Sequence, residues 1–438
     1  MDKKYSKYTK GIWDEDQTSL RVISWISNAD LILNTNDKDF NKSFYKNIIR
    51  QTNFVKKNIN NLNDENKKIS SISLLVLSGL VFKEYYVYYK IGLKELKKFI
   101  EGYFDENGFP INRNFENLLT FVQYFILIKE WIKNAQEIVP EYLENIVEKN
   151  LVCLNSVNNP SKKLPLFNGS TDKSLSNFFL YLDKLNYSSK KNLKSVGQVQ
   201  IVKNKKTTLY FDSGEPPNYQ LSKDYQSGPL SFEYFYEGNK IITNCGYGRK
   251  ISEKIRSISK FTSAQSTLCL NDTTVVNFQR NNLINKTFGS TISDGFKIND
   301  IAREESKNDT FVAATHNAYL SKYGYLHRRE IKVLKKNGDV NGVDTLIKKK
   351  NVPQGLRFSI RFHIYPGISA IKTISGRSIL LQINQKKSWI LVSESHDLEV
   401  ERGLFMGRNK IVNNDCAVIY GNTNQQDTYI KWELKRSI

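Results

Sequence analysis

The chain is 438 residues long, with 65 Lys+Arg against 44 Asp+Glu and a formal net charge of +21. At 39% hydrophobic and 25% charged residues, it is too apolar for a disordered chain and too polar for a membrane protein. The longest apolar stretch, around Ile72 to Phe82, is broken by Ser73, Ser78 and Gly79 and is too short to span a bilayer.

A chain of this length is expected to form two or three domains, each burying its own core. Its first residues, MDKKYSKYTKGIWDEDQ, are charged and lack the apolar core of a signal peptide, which predicts a cytoplasmic protein if the chain is complete. The basic excess suits a polyanion: nucleic acid, an anionic membrane surface or an acidic polysaccharide. Only fifteen of the basic residues are Arg, however, and the abundance of Asn, Ile and Lys is what a compositionally biased genome produces whatever the function. No helix-turn-helix, RNP, KH or zinc-finger signature accompanies the charge, so nucleic acid is not expected as a partner. Cys153, Cys245, Cys269 and Cys416 lie far apart without a CxxC pair and are expected to be buried free thiols.

In chain order, the first 190 residues read as helices. Leu20, Ile23, Ile26 and Leu31 form one helical stripe; Phe115, Leu118, Leu119, Val122, Phe125 and Ile126 form another. Residues 72–82 are apolar all round, as in a helix buried between neighbours. Further helices are predicted near 40–60, 91–103, 138–152 and 172–186. Connectors rich in Gly, Pro and Asn, such as Asp105–Asn114 and Asn155–Pro165, separate them. From about residue 196 the period becomes two. Val199 and Ile201, then Leu209 and Phe211, begin a series of short strands. In Leu356–Ile364, Phe358, Ile360, Phe362 and Ile364 share one face, and Arg357, Ser359, Arg361 and His363 the other. More strands are predicted at Ile379–Ile383, Trp389–Val392, Cys416–Tyr420 and Tyr429–Leu434. The expected fold class is α+β multidomain, a helical domain over 1–190 followed by an antiparallel β-sandwich over 191–438.

Several segments resemble the heparinase II/III-like family. Ser19–Leu33 (SLRVISWISNADLIL) is similar to the first helix of α-proteobacterial members, and Leu166–Gly169 (LFNG) to the end of the family's α/α toroid. Pro229–Gly246 (PLSFEYFYEGNKIITNCG) and Ser263–Leu268 (SAQSTL) resemble strands of its sandwich. The strongest match is Phe311–Arg329 (FVAATHNAYLSKYGYLHRR), followed by Arg361–Gly367 (RFHIYPG). The resemblance implies an N-terminal α/α toroid, incomplete here if helices are missing, and a polysaccharide lyase. Its substrate would be an acidic, uronic-acid-containing glycan of the heparin or heparan-sulfate kind, cleaved by β-elimination. It also implies a periplasmic or cell-envelope location, against the cytoplasmic one suggested by the N-terminus.

Such chemistry needs the uronate carboxylate neutralised, a base for the C5 proton and an acid for the departing oxygen. The resemblance implies a tyrosine helped by a histidine, and a tyrosine needs cationic neighbours to act as a base at neutral pH. His316, His327, Tyr319 and Tyr325 are therefore the candidate catalytic residues, with Tyr103 a further candidate tyrosine; the alternative for each histidine is a structural bond inside the sandwich. Arg113, Asn114, Asn168, Arg328, Arg329, Arg357, Arg361 and His363 are the candidate substrate-binding residues, and His396 reads as a loop residue. Two departures from the family pattern stand out. In Asp105–Asn114 (DENGFPINRN) the family's loop histidine is absent, its place taken by Phe109 or Pro110. Family positions that hold His or an acidic residue, some of them ligands of a structural zinc, correspond here to Asp224, Gln226, Gly228, Asn244 and Gln265. Amides are poor zinc ligands, so no metal and no cofactor are expected. An active lyase and a non-catalytic relative that binds acidic polysaccharide remain the two leading readings.

Overall fold

The computed structural model describes residues 8–9, 11–34, 37–279, 285, 289–350 and 355–437. Contacts divide the chain into two compact units, Met1–Gly108 with Asn117–Leu151, and Phe109–Glu116 with Val152–Ile438.

The first unit is helical. Asp14, Asp37 and Asp64 each precede a helix, α1 (Glu15–Ser27), α3 (Lys38–Asn58) and α4 (Glu65–Val81), with the four-residue α2 (Ala29–Ile32) between the first two. Each of these carboxylates accepts a backbone N–H from the first turn, at 2.9–3.2 Å, satisfying donors that a helix start otherwise leaves open. Helix α4 is buried on all sides, and its serines avoid a desolvation penalty by turning inward: Ser73 Oγ donates to the Ile69 carbonyl at 2.8 Å. Helix α5 (Tyr86–Tyr103) lies so close that a Cβ on Gly79 would strike the Tyr89 backbone. Helices α6 (Phe115–Asn134) and α7 (Glu141–Val157) complete the predicted series. Among the described residues, no helix is long and apolar enough to cross a membrane.

The second unit is an antiparallel β-sandwich. Its first strands are β1 (Ser195–Val196), β2 (Val199–Lys203), β3 (Thr207–Asp212), β4 (Phe232–Tyr236), β5 (Asn239–Thr243) and β6 (Leu268–Leu270). Then come β7 (Ile298–Glu305), β8 (Asp309–His316), β9 (Tyr325–Leu334) and β10 (Val340–Lys348). The rest are β11 (Arg357–Ile364), β12 (Ser369–Lys372), β13 (Ser378–Asn384), β14 (Lys387–Ser393), β15 (Leu398–Phe405), β16 (Val412–Asn422) and β17 (Thr428–Ser437). One sheet runs β1-β2-β3-β4-β5-β11-β16-β15, with β6 also on β11; the other runs β12-β13-β14-β17-β10-β9-β8-β7. Between them Trp432 of β17 stacks on Phe232 of β4 at 5.5 Å and meets Phe362 of β11 edge-on at 4.9 Å.

The structure corrects two expectations. The helix predicted near 172–186 is α8 (Ser176–Lys184) only, because the residues before it are extended: Lys163 bridges Ser174, and the Asp172 N–H donates to the Gly407 carbonyl at 2.7 Å. Residues 163–174 thereby form a loop closed at its neck. On β11 the alternation holds, with Phe358, Ile360, Phe362 and Ile364 all 0% exposed, but Ser359 and His363 on the opposite face are buried as well. Beside β11, His363 bonds Ser263 and Cys245, so at Ser359 and His363 this face is covered by chain, while Arg357 stays exposed. All four cysteines are buried and none forms a disulfide.

Candidate functional site

The candidate catalytic histidines sit in the interior of the sandwich. His316 and His327 are directly cross-strand on β8 and β9, and both are 0% exposed. The Ala318 N–H donates to His316 Nδ1 at 3.2 Å, which leaves the proton on His316 Nε2. That nitrogen donates to His327 Nδ1 at 3.0 Å, and His327 Nε2 donates to Asp344 Oδ1 at 2.7 Å. Asp344 also accepts Trp432 Nε1 at 2.9 Å and two bonds from Arg329, at 2.8 and 3.0 Å. Burial alone would raise the Asp344 carboxyl, but Arg329 and His327 outweigh it and bring it down to about 2. Burial pushes both imidazoles below their ordinary range, so they are neutral.

Arg329, expected to meet substrate, is 0% exposed, and its Nη1 donates to the Leu230 and Ser266 carbonyls at 2.9 Å each. Tyr319 Oη donates to the Leu268 carbonyl at 3.0 Å. Tyr325 is 0% exposed. These five side chains pack the interior of the sandwich and present no group to a polymer outside it. His363 is likewise internal: Nε2 donates to the Ser263 carbonyl at 2.9 Å, Nδ1 accepts the Cys245 thiol at 3.3 Å, and burial lowers the ring to about 4. Arg361 is committed to Glu401 at 2.6 Å and Arg328 to Glu330 at 2.8 Å. Arg357 is exposed, over the Tyr420 ring. His396 bonds Ser395 Oγ at 2.9 Å.

A different set of side chains converges around the tip of the 163–174 loop. Arg113 and Asn114 come from the 109–116 segment. Arg113 is only 4% exposed; it ion-pairs with Asp212 and donates to the Gly197 and Glu215 carbonyls, so its work is to anchor that segment on the sandwich. Asn114 Oδ1 accepts the Ser170 hydroxyl at 3.2 Å and the Glu116 N–H at 2.8 Å. Asn168 takes a left-handed φ of 51° and is followed by Gly169 at φ 91°, the tight turn that Leu166–Gly169 carries. Glu116 accepts the Thr171 hydroxyl at 2.7 Å and pairs with Lys173 at 2.6 Å. Burial would raise the Glu116 carboxyl; Lys173, Thr171 and Arg249 outweigh it and hold it low.

From the sandwich, Asp224 accepts Tyr247 Oη at 2.9 Å and pairs with Arg249 at 2.9 Å, while Arg249 Nη2 also donates to the Gly169 carbonyl at 3.4 Å. Asp224 and Arg249 are half-buried, whereas Tyr247 is 0% exposed. Burial and the adjacent Asp224 carboxylate push the Tyr247 phenol upward, so it keeps its proton. The sequence singles out neither Tyr247 nor Arg249; the available signal was their place just past the Pro229–Gly246 segment, three and five residues after Asn244.

The residues at the family's zinc positions do not fit a metal. Gln226 Nε2 donates to the Gly246 and Ser259 carbonyls at 3.1 and 2.8 Å, and its Oε1 accepts the Gly169 N–H at 3.0 Å. Asn244 bridges the Leu166 carbonyl and the Ser266 N–H at 3.2 and 2.8 Å. Gln265 Nε2 donates to the Ser259 carbonyl at 3.0 Å. The three amides tie backbone segments together directly, Gln226 and Asn244 as both donor and acceptor and Gln265 as donor, and an amide N–H is no ligand for zinc. Among the described residues, no group of three or more His, Cys, Asp or Glu is arranged to hold a metal ion.

Comparison with known proteins is consistent with this architecture. The family described as "Heparinase II/III-like, C-terminal" matches residues 188–433. FtsZ-localized protein C of Caulobacter vibrioides is 22% identical over 196 residues, 43% of this chain. The match spans 33% of that curated relative's length. The structure of heparan sulfate lyase HepC from Pedobacter heparinus superposes with a TM-score of 0.72 at 15% identity, covering 98% of this chain and 68% of that one. A structure of heparinase III gives 0.75 at 14% identity, covering 98% and 70%. At such identities the likeness is one of fold.

Proposed function

The chain belongs to the heparinase II/III-like family, whose fold is that of polysaccharide lyases, and on that premise we propose that it binds an acidic, uronate-containing polysaccharide around the 163–174 loop without cleaving it by β-elimination. The observation that carries this reading is the fate of the imidazoles. Three of the four histidines are at most 4% exposed, with both ring nitrogens bonded inside the protein. The fourth bonds a neighbouring serine in a surface loop. None stands beside Asp224, Tyr247 and Arg249.

The elimination needs a base that is deprotonated near neutral pH. Tyr247 is the phenol of the loop cluster, and its surroundings favour the protonated form. What the cluster offers instead is recognition: the Arg249 guanidinium at a half-buried edge and the exposed Lys173 ammonium on Glu116, two cations suited to an acidic polymer.

The test is to incubate the full chain with heparan sulfate, alginate and glucuronan, following both binding and the ultraviolet absorbance of an unsaturated uronate. The expected result is binding that weakens with salt, no absorbance change, and about tenfold weaker binding in Arg249→Gln. A lyase signal on any polymer would replace this reading with an active enzyme using a non-histidine base, for which Tyr247 beside Arg249 is the first candidate. Absence of binding to every polymer would sink it outright.

A further inference from the structure

At the neck of the 163–174 loop, away from its tip, a second polar cluster is built around Tyr365 of the Arg361–Gly367 motif. Asp172, whose side chain is 1% exposed, accepts Tyr365 Oη at 2.6 Å, Arg408 Nε at 3.0 Å and Lys163 Nζ at 3.3 Å, all on the same oxygen. Arg408 Nη2 also donates to Tyr365 Oη at 2.7 Å, and Lys163 Nζ donates to that same phenol oxygen. The Arg408 guanidinium lies 5.3 Å from the Tyr365 ring centre and 5.7 Å from that of Phe405, which hold its plane in place.

The charges in this cluster do not cancel. Lys240, 1% exposed, is also close to the Tyr365 ring, but its charge is matched by Glu233 at 2.8 Å. Glu233 is otherwise committed to the Leu166 and Asn244 N–H groups and the Thr243 hydroxyl. Asp172 alone is left to face both Lys163 and Arg408, and among the described residues no other carboxylate pairs with either. One positive charge is therefore in excess. It sits at the accessible side of the cluster, since the Lys163 and Arg408 side chains are 29% and 36% exposed. Arg408 spends Nε and one Nη2 proton within the cluster, leaving the Nη1 edge of the fork without a partner among the described residues. A guanidinium edge held rigid by two rings, next to an ammonium, matches the planar or tetrahedral oxygens of a carboxylate or sulfate.

We propose that Lys163 and Arg408, held in place by Asp172 and Tyr365, form an oxyanion subsite that takes a carboxylate or sulfate of an acidic saccharide. The subsite rests on the polysaccharide reading above and extends it to a second point of contact. Gly169 at the loop tip and Asp172 at the neck are three residues apart, at most about 10 Å along the chain, so one polymer strand reaches both.

The experiment titrates the full chain with dextran sulfate, which carries sulfate and no carboxylate, and with polyglucuronate, which carries carboxylate and no sulfate. Wild type is compared with K163Q/R408Q, the charge-keeping K163R/R408K, and R249Q, with thermal melting as a check on folding. K163Q/R408Q is expected to bind at least one polymer about tenfold more weakly, and K163R/R408K to recover most of that loss. The polymer affected names the oxyanion. If the double variant does not fold, R408Q alone carries the test, with an expected loss of about threefold. Unchanged binding of K163Q/R408Q to both polymers, with R249Q weakened, overturns the subsite and leaves the polysaccharide reading standing. Failure of wild type to bind either polymer overturns both.

Discussion

Replacing Asp344 by alanine should show that the His316–His327–Asp344 chain is structural rather than catalytic. The carboxylate is 0% exposed and accepts four bonds, two from Arg329 and one each from His327 and Trp432. Its removal leaves the fully buried Arg329 guanidinium with only the Leu230 and Ser266 carbonyls as partners, and strands the His327 and Trp432 N–H donors. Breaking a buried pair by deleting one member costs about 3–5 kcal/mol, and each stranded neutral donor adds roughly 1 kcal/mol or more unless water enters the space. For a β unit of this size about 3–5 kcal/mol corresponds to a fall in Tm of roughly 6–20 °C. Thermal melting followed by tryptophan fluorescence is the assay, since Trp389 and Trp432 both lie in the core. The paired change Arg329→Met with Asp344→Leu should be less destabilising than Asp344→Ala alone, because it leaves no uncompensated charge in the interior of the sandwich. A loss below about 1 kcal/mol for Asp344→Ala, or a double variant no better than the single, would refute the claim that this pair is fully desolvated.

Acid should weaken the fold early. His316, His327 and His363 titrate below their ordinary value in the folded chain, so the unfolded chain binds more protons as pH falls below about 6.5. The stability they contribute is complete above that pH and declines by about 1.4 kcal/mol per pH unit for each histidine as pH falls toward the folded values. Urea unfolding at neutral and mildly acidic pH measures this, and a flat profile would contradict the buried neutral state. Chelation should leave Tm unchanged, because Gln226, Asn244 and Gln265 bond backbone groups directly; a drop of several degrees with EDTA would show a metal contribution. Gly169→Ala should cost about 1–3 kcal/mol of strain and weaken polymer binding, since φ is 91° and the new Cβ would lie 2.7 Å from Asp224 Cβ and 2.8 Å from Asn114 Nδ2. Binding and melting measured together check this, and wild-type values in both would show that the loop tip tolerates displacement.

Local patterning sufficed for the elements. The apolar stripes of α1 and α6, the all-round burial of α4 and the period-two faces of β11, β13, β14, β16 and β17 were legible because helix and strand periodicity act over a few residues. The neck of the 163–174 loop was not legible. Its extended start is imposed by a hydrogen bond from Asp172 to Gly407, a residue far along the chain.

For the site the division is sharper. The sequence by itself determined which segments carry polar chemistry: Arg113–Asn114, Leu166–Gly169, Phe311–Arg329 and Arg361–Gly367 all hold residues that make specific bonds in the structure. Only the tertiary structure decided which of those residues face solvent. An alternating strand tells which side chains share a face, but not whether that face is covered. His327 and Arg329 lie inward between the sheets, while His363 faces a second layer of chain. The same fold leaves Asp224, Arg249 and Lys163 half-buried and Arg408 exposed, with Lys163 and Arg408 sharing the one carboxylate of Asp172. Desolvation separates the two groups, since a buried histidine is held neutral and bonded to its neighbours while a cation at the rim stays charged and within reach of solvent.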